Sequence, residues 1–283
     1  MSGAYTGLAA PSVEGGAQDS LLLALAEQGY LNEAARAPIN PDTLVAGCGS
    51  GRHALLVALR DPSAQVLAID LSTASLAHAT RKALGITNIE FQHMDILNAS
   101  NIAQRFGGIE SSGVLHHMHE PRAGLAALRP LLLEGGVMKL ALYRRKARLL
   151  VNKARARITK LHLGASKDDV RELRQRILAG LEPELSGLLD SSDFYSESAC
   201  RDLLFYVQEH QYLAPELTEL VSSCELKFLG FYFSSDLIPN RYRTKYPHDQ
   251  GIQDMQLWDT FEEQYPGTFS ECYQFWSQAV APV

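Results

Sequence analysis

"LVAGCGSGRHALLVAL", residues 44–59, decides how the rest of this chain is read. A short apolar run ends in three glycines at alternate positions, Gly47, Gly49 and Gly51, and apolar residues then resume on most faces of a helix. Strand, tight turn and helix in that order open a parallel α/β unit, and ligands bind beyond the carboxyl ends of such strands. A glycine turn alone is a weak signal, so the flanking sequence must say what the loop holds.

The unit repeats. "AQVLAID" (64–70) reads as a second strand, followed by a helix, "STASLAHATRKALG", opened by Ser72 and closed at Gly85. "IEFQHMD" (89–95), "IESSGVL" (109–115) and "VMKLALY" (137–143) read as the third, fourth and fifth strands, with helical "PRAGLAALRPLLLEGG" before the last. This spacing implies right-handed crossovers and helices on both faces of a parallel sheet. After Tyr143 the period becomes helical, with Ala147, Leu150, Val151, Ala154, Ile158 and Leu161 on one face. "SKDDVRELRQRIL" opens another helix, with Ser166 and Asp169 as its capping pair. "SESACRDLLFYVQEH" and "PELTELVSSC" read as two more, and "LKFLGFYF" (226–233) as a sixth strand that rejoins the sheet.

The expected fold is therefore α/β: a Rossmann-like, doubly wound, mostly parallel sheet with a helical cap inserted between strands five and six. Residues 1–40 are expected as a flexible leader and N-terminal helix, and 41–143 as the ligand-binding core. Residues 144–225 would form the insertion on the substrate side, and 226–283 the last strand or strands with an aromatic tail. That tail, "WDTFEEQYPGTFSECYQFW", suits either core packing or the edge of a lid.

Composition narrows the class. With 46% hydrophobic and 20% charged residues and a net charge of -6, the chain of 283 residues reads as an ordinary globular protein with no global pull toward nucleic acid. No apolar run approaches the roughly 18–20 residues of a membrane span. The first residues lack the basic flank and apolar stretch of a signal peptide. Cys48, Cys200, Cys224 and Cys272 are scattered without a CxxC pair, so free thiols, a cytoplasmic location and no metal site are expected.

The dinucleotide fingerprint needs G-x-G-x-x-G, but the position for its third glycine holds Arg52. A P-loop is absent, and four residues beyond Tyr143 stands Ala147, not the lysine of a short-chain dehydrogenase. Asp70 ends the second strand, 19 residues beyond Gly51, where a carboxylate can accept from both hydroxyls of a ribose and repel a phosphate. Asp95 ends the third strand, within reach of an adenine amino group.

These motifs resemble those of class I S-adenosylmethionine (SAM)-dependent methyltransferases. "VAGCGSG", "VLAIDLS" and "FQHMDILN" match the first three motifs of that family, and "SSGVLHHMHEP" and "LRPLLLEGGVMKLALY" the fourth and fifth. "GVLHHM", "FYSESACRDLLFYVQEHQ" and "FEEQYPGTFSECYQFW" are similar to the methyltransferase domains attached to tetratricopeptide repeats in bacteria, though no repeats occur here. The resemblance implies SAM as cofactor and S-adenosylhomocysteine as product. It implies backbone contacts from Gly47, Cys48, Gly49 and Gly51 to the amino-acid part of SAM. Asp70 would hold the ribose with Leu71 beside it, Asp95 and Ile96 the adenine, and Ser112 and Gly113 would line the sulfonium side. One departure matters: the acid usual two positions before the first glycine is Val45, so a partner for the methionine ammonium must come from elsewhere.

Methyl transfer is an in-line displacement, which needs a general base only when the nucleophile arrives protonated. His116 and His117 follow the fourth strand and are candidates for that base; positioning and packing are the alternatives. His119, Tyr143, Arg144, Arg145, Tyr195 and His210 are candidates for the substrate side, and Tyr30 for closing over SAM. Residues 144–176 hold 12 Lys and Arg against three acids, which reads as a solvated helix face or as a basic wall over the pocket. The expected function is transfer of a methyl group to an O or N nucleophile of a small, anionic or aromatic, molecule. Methylation of a protein or peptide side chain is the alternative, and a non-catalytic SAM-binding regulatory module the second. A small-molecule or peptide acceptor is thus the expected partner, with no membrane and no nucleic acid; a homodimer is compatible with the sequence.

Overall fold

The computed structural model describes residues 42–205 and 208–280. The expected leader and N-terminal helix, with Tyr30, lie outside them. Seven strands form one sheet in the order β3-β2-β1-β4-β5-β7-β6. They are β1 (Thr43–Ala46), β2 (Val66–Asp70), β3 (Ile89–His93), β4 (Phe106–Ser112), β5 (Leu132–Tyr143), β6 (Leu226–Phe231) and β7 (Cys272–Ala279). The first five pair in parallel, and β7 runs antiparallel between β5 and β6. β1 is buried along its whole length, as a short apolar run at the centre of a two-faced sheet requires.

Helices α1 (Arg52–Arg60) and α2 (Thr73–Lys82) cover one face, where Val45, Ala54, Val57, Ala68 and Leu76 pack together. Helix α3 (Pro121–Leu128) covers the other, where Leu44, Ile69 and Ile109 meet Leu125 and Leu128. The fourth strand lies three residues earlier than the sequence suggests. Gly113, at φ +77, ends it, and the apolar pair Val114–Leu115 turns into a 3-10 turn (Leu115–His117) with Leu115 in the core. β5 starts earlier, at Leu132, and its register shifts opposite Phe106–Gly108.

The aromatic tail is core. Tyr273, Phe275 and Trp276 of β7 are buried, and Phe269 lies 4.7 Å from the Phe231 ring. Two further helices, α8 (Leu237–Lys245) and α9 (Met255–Gln264), are joined by Tyr242 stacked on Trp258 at 4.0 Å. The Trp258 Nε1–H donates to the Ile252 carbonyl at 2.8 Å and the Tyr242 hydroxyl to Asp249 at 2.7 Å, so neither ring buries an unpaired tip.

Between β5 and β6 run α4 (Leu149–Lys160), α5 (Lys167–Leu178), α6 (Glu197–Phe205) and α7 (Ala214–Ser222). The first three share a separate core around Ala154, Val170, Leu173, Phe194 and Leu204, whereas α7 packs into the main core through Ala214, Leu217 and Val221. Ser166 caps α5 by accepting from the Asp169 N–H, the pairing expected from sequence. The stretch before α7 crosses the carboxyl ends of β4 and β5. There the His210 N–H donates to the His116 carbonyl at 2.8 Å and the Tyr212 N–H to that of Tyr143 at 2.9 Å. Among the described residues no helix is long and apolar enough to cross a membrane.

Candidate functional site

Gly47, Gly49 and Gly51 have φ values of +77, +52 and +80, a left-handed run that only glycine adopts cheaply. They do different jobs. A Cβ on Gly47 would lie 2.2 Å from Val114 Cγ2, and one on Gly51 would lie 2.5 Å from the Ala79 Cβ, so these two allow close packing. A Cβ on Gly49 would meet nothing within 4 Å. The Gly49 N–H donates to Asp70 Oδ2 at 2.7 Å, which ties the loop to the end of β2, and Asp70 Oδ1 accepts from the Ser72 N–H at 2.8 Å. Helix α1 starts with no side-chain cap and no acid in its first turn. Its positive end is left uncompensated, which suits an anionic group.

Between this loop and the exit of β4 opens a cleft of about 560 Å³. Its walls are Gly47, Cys48, Gly49, Ser50, Arg52, His53 and Leu56 on one side, Asp70 at the end of β2, and Ser112, Gly113 and Val114 opposite. Six of the expected cofactor residues converge here: Gly47, Cys48, Gly49, Asp70, Ser112 and Gly113. Four do not line it. Gly51 packs on α2, and Leu71 is 66% exposed. Asp95 accepts from the Leu97 N–H at 2.9 Å and caps a 3-10 helix, in which Ile96 is buried. The Cys48 thiol is pushed up to about 11 by burial and then by Asp70, so it stays protonated. A larger hollow, about 630 Å³, sits at the other end of the sheet beside Gln65, Thr87 and Gln104 and contains none of the expected residues.

The histidines separate. His116 is fully buried, its ring 3.8 Å from that of Tyr143, and among the described residues neither of its nitrogens has a hydrogen-bond partner. Burial, and then His117, push its pKa down to about 3; the nearby Ala141 backbone favours the charged ring without reaching hydrogen-bond geometry. The expectation of a base at His116 is therefore corrected: it is a neutral packing residue, turned inward by the 3-10 turn. His117 stands one turn beyond Val114, and its Nδ1–H donates to the Gln208 carbonyl at 3.4 Å. A carbonyl only accepts, so Nε2 is the basic nitrogen of the neutral ring. Burial holds His117 below the usual histidine range. His119 is exposed, and its carbonyl accepts from His210 Nε2–H at 3.2 Å, which places both at the rim.

The candidate cations of the substrate side are engaged elsewhere. Arg144 is buried against Glu262 and donates to the Ser270 carbonyl at 2.9 Å, so it fastens β5 to α9. Arg145 donates to both oxygens of Glu216, at 3.0 and 2.9 Å, and to the Gln211 carbonyl. Tyr195 is exposed, does not line the cleft, and donates its hydroxyl to the Leu189 carbonyl. Tyr143 receives the Arg148 guanidinium 4.3 Å over its ring. The basic stretch is thus matched by acids from distant segments, including Glu182, Glu197, Glu209, Glu216 and Asp259, and does not form a basic wall.

One pair escaped the sequence reading. His53, on the cleft wall, gives its Nε2–H to Glu110 Oε2 at 2.6 Å, and Glu110 is fully buried in the middle of β4. Burial pushes the Glu110 carboxyl up, but the hydrogen bond and charge of His53, then Lys139 and Arg60, hold it below its ordinary value. The available signal was an acid inside an apolar strand, "GIESS", where an unpaired carboxylate is costly.

The cleft has features that suit a SAM molecule: open space beside Gly49, a helix start with no side-chain cap, and the Asp70 carboxylate on its wall. Residues 44–136, about a third of the chain, match the methyltransferase domain family. This stretch is similar to a methyltransferase domain, and the chain shares its fold with solved structures. Among relatives, an uncharacterized protein of Synechococcus sp. is 28% identical over 230 residues, covering 72% of this chain and 54% of that protein. The structure of PKMT2 from Rickettsia typhi is similar at TM-score 0.62 and 19% identity, covering 83% of this chain and 48% of that one. Its complex with AdoHcy gives 0.61 and 20%, covering 85% and 49%. The chain spans about half the length of these relatives.

Proposed function

We propose that this chain transfers the methyl group of SAM to an oxygen or nitrogen of a small-molecule acceptor. The observation that carries this reading is the convergence of Gly49, Asp70, Ser112 and Gly113 on one cleft inside the matched domain. Bound SAM supplies a methyl on a positive sulfur, activated for displacement. The chain's own work is to hold the cofactor, line up the acceptor and exclude water. Asp70 accepts from the ribose hydroxyls while its bonds to Gly49 and Ser72 keep it in place. Ser112 and Gly113 border the reacting side. His117, neutral at pH 7 with Nε2 basic, takes the proton of a hydroxyl or ammonium acceptor. With Arg144 and Arg145 committed to Glu262 and Glu216, neither is free to hold an anionic acceptor. The insertion, whose 208–212 stretch crosses the ends of β4 and β5, closes the acceptor side. Free thiols at all four cysteines support a cytoplasmic location.

A peptide side chain as acceptor is the second reading. It is favoured by the length of the relatives, about twice the matched portion, which leaves room for a substrate-carrying part. Incubation with methyl-labelled SAM and two pools, small metabolites and protein, distinguishes the two by where the label goes. His117→Gln should lower turnover by about tenfold to a hundredfold while SAH affinity stays within twofold. Equal loss of both would make His117 structural.

A further inference from the structure

The amino-acid end of SAM carries an ammonium and a carboxylate, and both need partners once water is excluded. The carboxylate has the uncapped start of α1. For the ammonium, the titratable side chains on the cleft among the described residues are Arg52, His53 and Asp70, together with the Cys48 thiol that burial keeps protonated. Arg52 repels a cation. Asp70 stands at the end of β2, its oxygens already accepting from Gly49 and Ser72 and directed to the ribose.

His53 remains, and its surroundings prepare it. Its Nε2–H is given to Glu110, and a carboxylate only accepts, so Nδ1 is the nitrogen left to carry a lone pair. The side chain is 36% exposed on the cleft wall, and among the described residues Nδ1 has no hydrogen-bond partner. Glu110 lies in register with Val45 of β1, so both side chains face α1, and a negative charge sits one strand across from the position where Val45 offers none. Glu110 Oε1 is buried without a hydrogen bond. A pair serving stability alone would be expected to satisfy both oxygens, as Glu209 and Glu182 do in the insertion. Lys139, opposite Glu110 on β5 with its Nζ 3.8 Å over the Tyr232 ring, and Arg60 are the other charges that act on Glu110.

We propose that His53 Nδ1 accepts a hydrogen bond from the ammonium of SAM, and that Glu110 is its positioning residue, fixing the ring and supplying negative charge from one strand away. This rests on the SAM reading above. The test is calorimetric titration of the full chain, wild type, His53→Ala and Glu110→Gln, with three ligands: SAH, 5′-methylthioadenosine, and the SAH analogue without its amino group. His53→Ala should weaken SAH tenfold to thirtyfold and change the other two by less than twofold. Glu110→Gln keeps an acceptor for Nε2–H without the charge, and should weaken SAH about threefold to tenfold with the same selectivity. Unchanged SAH affinity in His53→Ala overturns the proposal, and so does equal weakening of all three ligands, which marks a structural role. Wild type that binds methylthioadenosine but not SAH overturns it while leaving a nucleoside site in place. Wild type that binds none of the three overturns the SAM reading itself.

Discussion

Glu209 in the insertion and Glu110 beneath the glycine loop are both buried carboxylates, and they are treated in opposite ways. Glu209 accepts from Arg148 Nε and Nη2 at 2.8 and 2.7 Å, from Arg155 at 2.8 Å and from Gln211 at 2.8 Å. Burial alone would raise its pKa; Arg148, and then Arg155, hold it down at about 2. Among the described residues, Glu110 accepts from His53 alone. The same contrast runs through both regions. In the insertion Glu182 gathers Arg157 and Arg176, and Asn152 and Gln211 bond reciprocally, whereas the loop region keeps an uncapped helix start and open space beside Gly49. Closed networks make a scaffold, and groups left with unfilled bonding capacity mark where a ligand completes the structure.

That contrast can be broken most forcefully at Glu209. Replacing it by alanine leaves the buried Arg148 guanidinium, and the half-buried one of Arg155, without a carboxylate and should cost about 3–5 kcal/mol in urea unfolding. A loss under about 1 kcal/mol would mean the network is ornamental. Because the folded pKa lies below the ordinary value of 4.5, the stability Glu209 contributes is present at neutral pH and lost as pH falls from about 4.5 toward 2. The glycines sharpen the comparison within the loop. Gly51→Ala drives a Cβ to 2.5 Å from Ala79 and should cost about 2–3 kcal/mol of stability. Gly49→Ala has room and should cost only about 1 kcal/mol, from the left-handed φ, yet weaken SAH binding at least tenfold. If both behave alike, the division of labour assigned to the loop is wrong.

His116 gives an effect that is small at neutral pH and visible only on acidification. Its folded pKa of about 3 lies below the 6.5 of the free side chain, so between those values the unfolded chain binds the proton and stability falls with pH. His116→Phe removes that sensitivity. The variant should lie within about 1 kcal/mol of wild type at pH 7.5 and gain on the order of 2 kcal/mol relative to it at pH 5. Parallel pH profiles for the two proteins would show that His116 is not a buried neutral ring.

The sequence made the loop legible because glycines, Asp70 and the strand–helix rhythm are local features, each readable within about 25 residues. The Ser166–Asp169 cap was readable for the same reason. What escaped depends on register and long-range pairing. His53 and Glu110 are 57 residues apart and meet only because β4 joins β1 in the register that pairs Val45 with Glu110. The basic stretch looked uncompensated because its acids come from far along the chain, Glu262 lying 118 residues beyond Arg144. His116 and His117 looked alike as candidates for the base; a 3-10 turn sends His116 into the core and leaves His117 half-buried. The strand end at Ser112 was hidden by the apolar Val114–Leu115, which the core takes up after the turn at Gly113.

The central claim, that this cleft holds SAM by its loop and by Asp70, is tested most directly by titrating SAH calorimetrically into wild type and Asp70→Ala, with the reduced nicotinamide dinucleotide as control. The account predicts micromolar binding of SAH to wild type, at least tenfold weaker binding to Asp70→Ala through lost ribose hydrogen bonds, and no binding of the dinucleotide. Folded wild type that ignores SAH, or an Asp70→Ala variant that binds it as tightly as wild type, would contradict it.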